Sequence, residues 1–171
     1  MNKVRIAVAN LCGCSGCLDR IGETEPWILG RVDFVRYSPD QGDDHLEQRE
    51  RYALGLIEGA CASDANLLIL QGMREECDFL VALGECARSG SRPACARAPL
   101  SGIRESDARR HDVATPAIAE FEELPLVLDS VFPCNWIVPV DYELPGCPPS
   151  AEAIGHVLQR FVPGLRAKIS V

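Results

Sequence analysis

No uninterrupted apolar run in this sequence approaches the ~20 residues of a membrane-spanning helix, so no membrane span is expected. No segment repeats another, and no G-x-G-x-x-G nucleotide fingerprint is present. Histidine is scarce. His45, His111 and His156 are the whole set, and none lies close in sequence to a cysteine pair. That argues against a mixed Cys/His zinc finger. Positive charge is in the minority, with 17 Lys and Arg against 25 Asp and Glu and a net charge of −8. A nucleic-acid or anionic-membrane partner is therefore not expected. The hydrophobic share of 47% and charged share of 25% exclude wholesale disorder. A length of 171 residues predicts one domain, 1–171, within the usual ~100–200. Met1-Asn2-Lys3-Val4-Arg5-Ile6 leads directly into an apolar strand without the pattern of a signal peptide, which predicts a cytoplasmic address.

What the chain does have is cysteine. Nine stand at positions 12, 14, 17, 61, 77, 86, 95, 134 and 147. An odd number cannot pair completely within one chain. In a cytosolic protein of this size, metal binding or catalysis is the better reading than a disulfide framework.

Apolar runs predict five strands: Val4–Ala9, Asp33–Tyr37, Tyr52–Ile57, Asp78–Leu83 and Trp136–Val140, the last with Pro139 as an edge feature. Helical spacing predicts helices over Ala62–Glu76, Pro116–Phe132 and Ser150–Phe161, entered by Ser63, Thr115-Pro116 and Ser150. Alternating strands and helices give the α/β class, read here as a flavodoxin-like three-layer sandwich with a parallel five-stranded sheet. Ala87–Thr115 is read as a long irregular loop, with Arg88, Arg92, Arg97, Arg104, Arg109 and Arg110 either solvated or docking an acidic partner.

Open parallel sheets bind ligands beyond the carboxyl ends of their strands. On that map six cysteines fall at one rim: Cys12, Cys14 and Cys17 after the first strand, Cys61 after the third, Cys86 after the fourth and Cys147 after the fifth. Neighbouring glycines let backbone approach a bulky ligand. Cys14-Ser15-Gly16-Cys17 is a CxxC spacing, which alone is shared by redox pairs, zinc sites and iron–sulfur sites. A zinc ribbon would want a second CxxC, and a redox pair would leave Cys86 and Cys147 without a role. A 4Fe–4S cluster needs four thiolates, and distant single cysteines can supply the last two. Glu58 and Glu85 also reach the rim, where they are candidates for proton movement or for tuning a cluster, and read first as surface or partner-facing carboxylates. His156 reads as a packing or surface residue, and Trp136 and Phe132 as core.

The segments LCGCSGC (11–17), EGACAS (58–63), CDFLVALGECARSG (77–90) and VFPCNWIVPVDYELPGCPPSAEAI (131–154) carry a resemblance. The chain resembles the small subunit of nickel–iron hydrogenases, most closely the soluble NAD-reducing (bidirectional) type. The related respiratory complex I subunit carries adjacent cysteines, and this chain has no Cys-Cys pair. Leu18-Asp19-Arg20-Ile21-Gly22-Glu23 departs from the aromatic–acidic stretch that soluble relatives carry after the CxxC.

The resemblance implies that Cys14, Cys17, Cys86 and Cys147 are the ligands of one proximal 4Fe–4S cluster. It also implies that Cys12 lies beside them without ligating, and that Cys77 and Cys134 are buried thiols. It gives Cys61 and Cys95 no role. The function implied is electron transfer within an oxidoreductase complex, between a nickel–iron site in a large subunit and a NAD(P)-linked diaphorase or other iron–sulfur subunits. No catalytic residue is expected on this chain. Some relatives hold flavin mononucleotide near the rim, a weaker expectation here because the first loop has cysteines in place of a Ser/Thr-rich phosphate cradle. The alternative is a homologous 4Fe–4S subunit of a multisubunit oxidoreductase without hydrogen chemistry. A zinc-stabilised module and a thiol–disulfide enzyme are the remaining readings.

Overall fold

Three parallel strands, Val4–Asn10 (β1), Tyr52–Glu58 (β3) and Cys77–Leu83 (β5), form the centre of the sheet in this computed structural model, which describes residues 3–39, 51–90 and 125–162. Val32–Arg36 (β2) pairs with the outer side of β1, and Tyr142–Leu144 (β7) with the outer side of β5. All four pairings are parallel, and the order is β2-β1-β3-β5-β7. Taken as successive strands, this is the 2-1-3-4-5 order of the flavodoxin-like sheet. The predicted fold class stands.

The sequence of β3, YALGLIE, shows why it is central. It is apolar on both faces, as a strand covered by helices on each side must be. Alternate residues feed two separate cores. Ile6, Leu54, Leu56, Val81 and Leu83 pack against Ile21, Ile28, Ile154 and Leu158. Ala7, Ile57, Leu80 and Ala82 pack on the opposite face against Leu70, Met73 and Cys134. The first face is covered by helices Gly16–Ile21 (α1), Pro26–Leu29 (α2) and Ala151–Phe161 (α5), the second by Asp64–Glu76 (α3). A further short helix, Gly84–Ser89 (α4), follows β5.

The two long helices start where Ser63 and Ser150 predicted. The Ser63 hydroxyl accepts the Asn66 amide at 3.2 Å, and the Ser150 hydroxyl accepts that of Ala153 at 3.2 Å. Ala62, read as the first residue of α3, instead belongs to a short strand, Cys61–Ser63 (β4).

Several expectations are corrected. Val127–Phe132 is a strand (β6), antiparallel to β4, rather than the end of a helix. Its β-branched Val127 and Val131 and helix-poor Asp129-Ser130 suit a ladder, and the β4 edge offers one. The rest of the predicted helix, 116–124, lies outside the described residues. Trp136–Val140 is not the fifth strand. Cys134–Trp136 forms a 3-10 turn whose Cys134 carbonyl accepts the amides of Ile137 and Val138. Pro139 has no amide to give to a ladder, and pairing begins only after Asp141, at Tyr142. Trp136 is 74% exposed, so it is not a core residue, whereas Phe132 is partly buried. Ala87–Ser89, read as the start of the long loop, completes α4, and residues 91–115 lie outside the described residues, as does the acidic run 40–50.

Candidate metal centre

The carboxyl ends of β1, β3, β5 and β7 converge, and each is followed by a turn bearing conspicuous residues. After β1 comes the Leu11–Ser15 turn and then α1. Ser15, which precedes α1, has a left-handed φ of 67° and makes no side-chain cap. Its hydroxyl instead accepts from the side-chain amide of Asn10. This places Cys14 just before α1 and Cys17 in its first turn.

The turn after β3 locks onto this loop. Cys12 and Ala60 exchange two backbone hydrogen bonds, of 3.0 and 2.9 Å. A Cβ on Gly59, at φ +87°, would fall within 3 Å of the Cys12 carbonyl group and the Gly13 nitrogen. Only glycine permits that approach. Glu58, the last residue of β3, is 1% exposed, and its Oε2 accepts the backbone amide of Leu18 at 2.9 Å. Its burial corrects the expectation of a surface carboxylate.

The turns after β5 and β7 are also tied together. The Glu85 amide donates to the Gly146 carbonyl at 3.0 Å, and the Gly146 amide donates to Glu85 Oε1 at 3.3 Å. Arg88 reaches both Glu85 and Glu143 at the same rim. Cys86 therefore sits in α4 immediately beyond one half of this clamp, and Cys147 immediately beyond the other. The Cys147–Pro148 peptide is cis.

Cys14 and Cys147 are exposed, Cys86 is partly buried and Cys17 is buried. The four share one electrostatic neighbourhood. Burial raises the Cys17 pKa from an ordinary 9.0 to about 12, and Glu58, Cys14, Cys86 and Cys147 each add to the rise. Among the described residues no three His, Cys, Asp or Glu side chains gather tightly enough to hold a single ion. The donor set of four thiols, approached by glycine backbone, fits the expected cluster, for which each residue would supply one thiolate.

The other cysteines separate from these four. Cys12 is exposed at the edge of the site. Cys61 does not join the rim. It is fully buried in β4 near Cys134, whose thiol donates to the Gly59 carbonyl at 3.4 Å. Cys77 and Cys134 are buried as expected, and Cys95 lies outside the described residues. His156 is exposed on α5. Sequence reading missed the clamp by Glu85 and the hold of Glu58 on Leu18. The one signal available was a glutamate ending an otherwise apolar strand.

Comparison with known proteins gives a consistent picture. Residues 14–161 match the family model described as NADH ubiquinone oxidoreductase, 20 kDa subunit. The NAD-reducing hydrogenase HoxS subunit delta of Cupriavidus necator is 31% identical over 167 residues, covering 95% of this chain and 80% of that one. The sulfhydrogenase 2 subunit delta of Pyrococcus furiosus is 25% identical over 162 residues, covering 95% of this chain but only 63% of that one. A crystal structure of an NAD+-reducing NiFe-hydrogenase in the H2-reduced state contains a chain with a TM-score of 0.74 and 33% identity, covering 90% of this chain and 87% of its own.

Proposed function

The chain belongs to the NADH ubiquinone oxidoreductase 20 kDa subunit family, and from that membership we propose that it is the electron-transfer small subunit of a nickel–iron hydrogenase. It holds one 4Fe–4S cluster through Cys14, Cys17, Cys86 and Cys147. The observation that carries this reading is the convergence of these four thiols from the ends of β1, β5 and β7 into one electrostatic neighbourhood. The likeness to a NAD-reducing hydrogenase subunit supports the choice of complex.

When bound, a 4Fe–4S cluster supplies a one-electron relay whose potential follows from its hydrogen bonds, nearby charge and burial. The chain's own residues set those conditions. Cys17 is delivered from the apolar side of the sheet, while Cys14 and Cys147 stand at the surface where a large subunit would cover them. Glycines 84 and 16 bring backbone close to the thiols, a Cβ on them falling 2.5 Å from Cys17 Sγ and 3.4 Å from Cys14 Sγ. The electron partners in this reading are a nickel–iron large subunit on one side and a diaphorase part or another iron–sulfur subunit on the other.

A flavin mononucleotide gains no support. In a flavodoxin-like sheet the phosphate would call on amides of the turn after β1, and here the Leu18 amide is already taken by Glu58.

The test is anaerobic purification of the chain with its co-purifying partners, followed by iron, acid-labile sulfide and nickel analysis and EPR after reduction. About four irons and four sulfides per chain, with a reduced-cluster signal and nickel in the partner, support the proposal. Iron and sulfide without nickel would move the chain to an oxidoreductase lacking hydrogen chemistry. Zinc, or no metal, would overturn the cluster.

A further inference from the structure

Glu58 stands at the middle of the converging strand ends. In register it lies between Asn10 of β1 and Leu83 of β5, directly below the turns that carry Cys14, Cys17 and Cys86. It is 1% exposed. Carboxylates are almost never buried to this degree unless paired, because burial disfavours the charge. Among the described residues no lysine or arginine forms an ion pair with it. Packing alone would be better served by a leucine at this position. The carboxylate is held instead by backbone of the cysteine turn.

That contact answers a specific local need. The first amides of a helix have no partner within the helix, and an N-cap side chain ordinarily serves one of them. Ser15 does not, since its backbone is left-handed and its hydroxyl is engaged by Asn10. Glu58 Oε2, 40 residues away in sequence, accepts the Leu18 amide in its place. Its other oxygen faces the same turn from below. A Cβ on Gly13 would lie 3.3 Å from Glu58 Oε1 and 3.0 Å from the Gly59 Cα, so the turn rests against this residue.

We infer that Glu58 is a positioning residue for the cluster, holding the Cys14–Cys17 turn through the Leu18 amide. This rests on the cluster reading above. Substitution isolates that role. Glu58→Gln keeps an acceptor for Leu18, whereas Glu58→Ala removes it.

The experiment compares wild type and both variants, purified anaerobically with their partner subunits, by iron and sulfide content and by EPR after reduction. Expected are wild-type iron and EPR signal in E58Q, and loss of at least half the iron in E58A. Full iron in E58A, or loss of iron in E58Q, would each overturn the inference while leaving the cluster in place. If E58A does not fold, the iron content of E58Q decides alone. A wild-type chain without iron or sulfide overturns the cluster reading itself, and this inference with it.

Discussion

The thiol of Cys17 occupies the space that a side chain on Gly84 would need: a Cβ built there falls 2.5 Å from Cys17 Sγ and 3.1 Å from the Gly146 carbonyl. Gly84 also has a φ of +78°, a conformation that costs other residues ~1–2 kcal/mol. Gly84→Ala therefore combines a backbone penalty with displacement of a proposed ligand. Its iron content is expected to fall at least twofold, with a lower midpoint in urea. Gly155→Ala makes the contrasting case. Its Cβ would meet Ile28 Cδ1 at an ordinary 3.5 Å, inside a helix. That variant should keep its iron and gain ~0.5–1 kcal/mol.

The cysteines divide into two groups with opposite expected behaviour. Cys14→Ser, Cys17→Ser, Cys86→Ser and Cys147→Ser should each abolish the reduced EPR signal and most of the iron. Cys61→Ala and Cys77→Ala should retain both. They remove small buried side chains outside the proposed ligand set, at a cost of about 1 kcal/mol in denaturation experiments.

Alkaline stability follows from Cys77 and Cys134. Burial raises both thiols from an ordinary 9.0 to about 12. Between those values the folded chain binds more protons than the unfolded chain, so stability falls as pH rises. Below about 9 these two groups contribute no slope. Urea denaturation at about pH 8 and about pH 10.5 should show a lower midpoint at the higher pH. The Cys77→Ala/Cys134→Ala double variant should show a smaller difference.

Asp141 controls where β7 begins. Its Oδ2 accepts the Leu80 amide at 2.7 Å and pairs with Arg74 at 2.7 Å, while its own amide donates to the Leu80 carbonyl. Asp141→Ala should destabilise the chain by about 1–3 kcal/mol. Asp141→Asn, which keeps an acceptor, should lose less. The ion pair itself contributes little, since the two side chains are 24% and 37% exposed and solvent screens them. Chemical denaturation at low and high salt separates the two contributions.

Strands β1, β3 and β5 were legible because a parallel strand covered on both faces writes itself as an apolar run. The serine caps of α3 and α5 were legible because the signal is local. The same rule misled at Trp136–Val140, where an apolar run folds into a turn. Ladder formation there depends on Pro139 and on the side chain of Asp141, neither of which periodicity weighs. Val127–Phe132 failed as a helix because its partner, β4, is more than 60 residues upstream. The loops carrying Cys14, Cys17 and Cys86 could be placed from the strands they follow, whereas Cys61 turns into β4 and the strand before Cys147 lies later than its apolar run suggested. Glu58 could be placed at the rim, but not its contact with the Leu18 amide across 40 residues, which leaves no pattern in the chain.

The strand order also bears on how the protein is made. Cys14 and Cys17 leave the ribosome first, Cys86 follows, and Cys147 comes only after the last strand of the sheet. A cluster on these four residues can be closed only when nearly the whole sheet has been synthesised and β7 has docked on β5. On the proposed ligand set, loading iron would thereby be a late event in biogenesis, and a loaded cluster would certify that the sheet beneath it is complete.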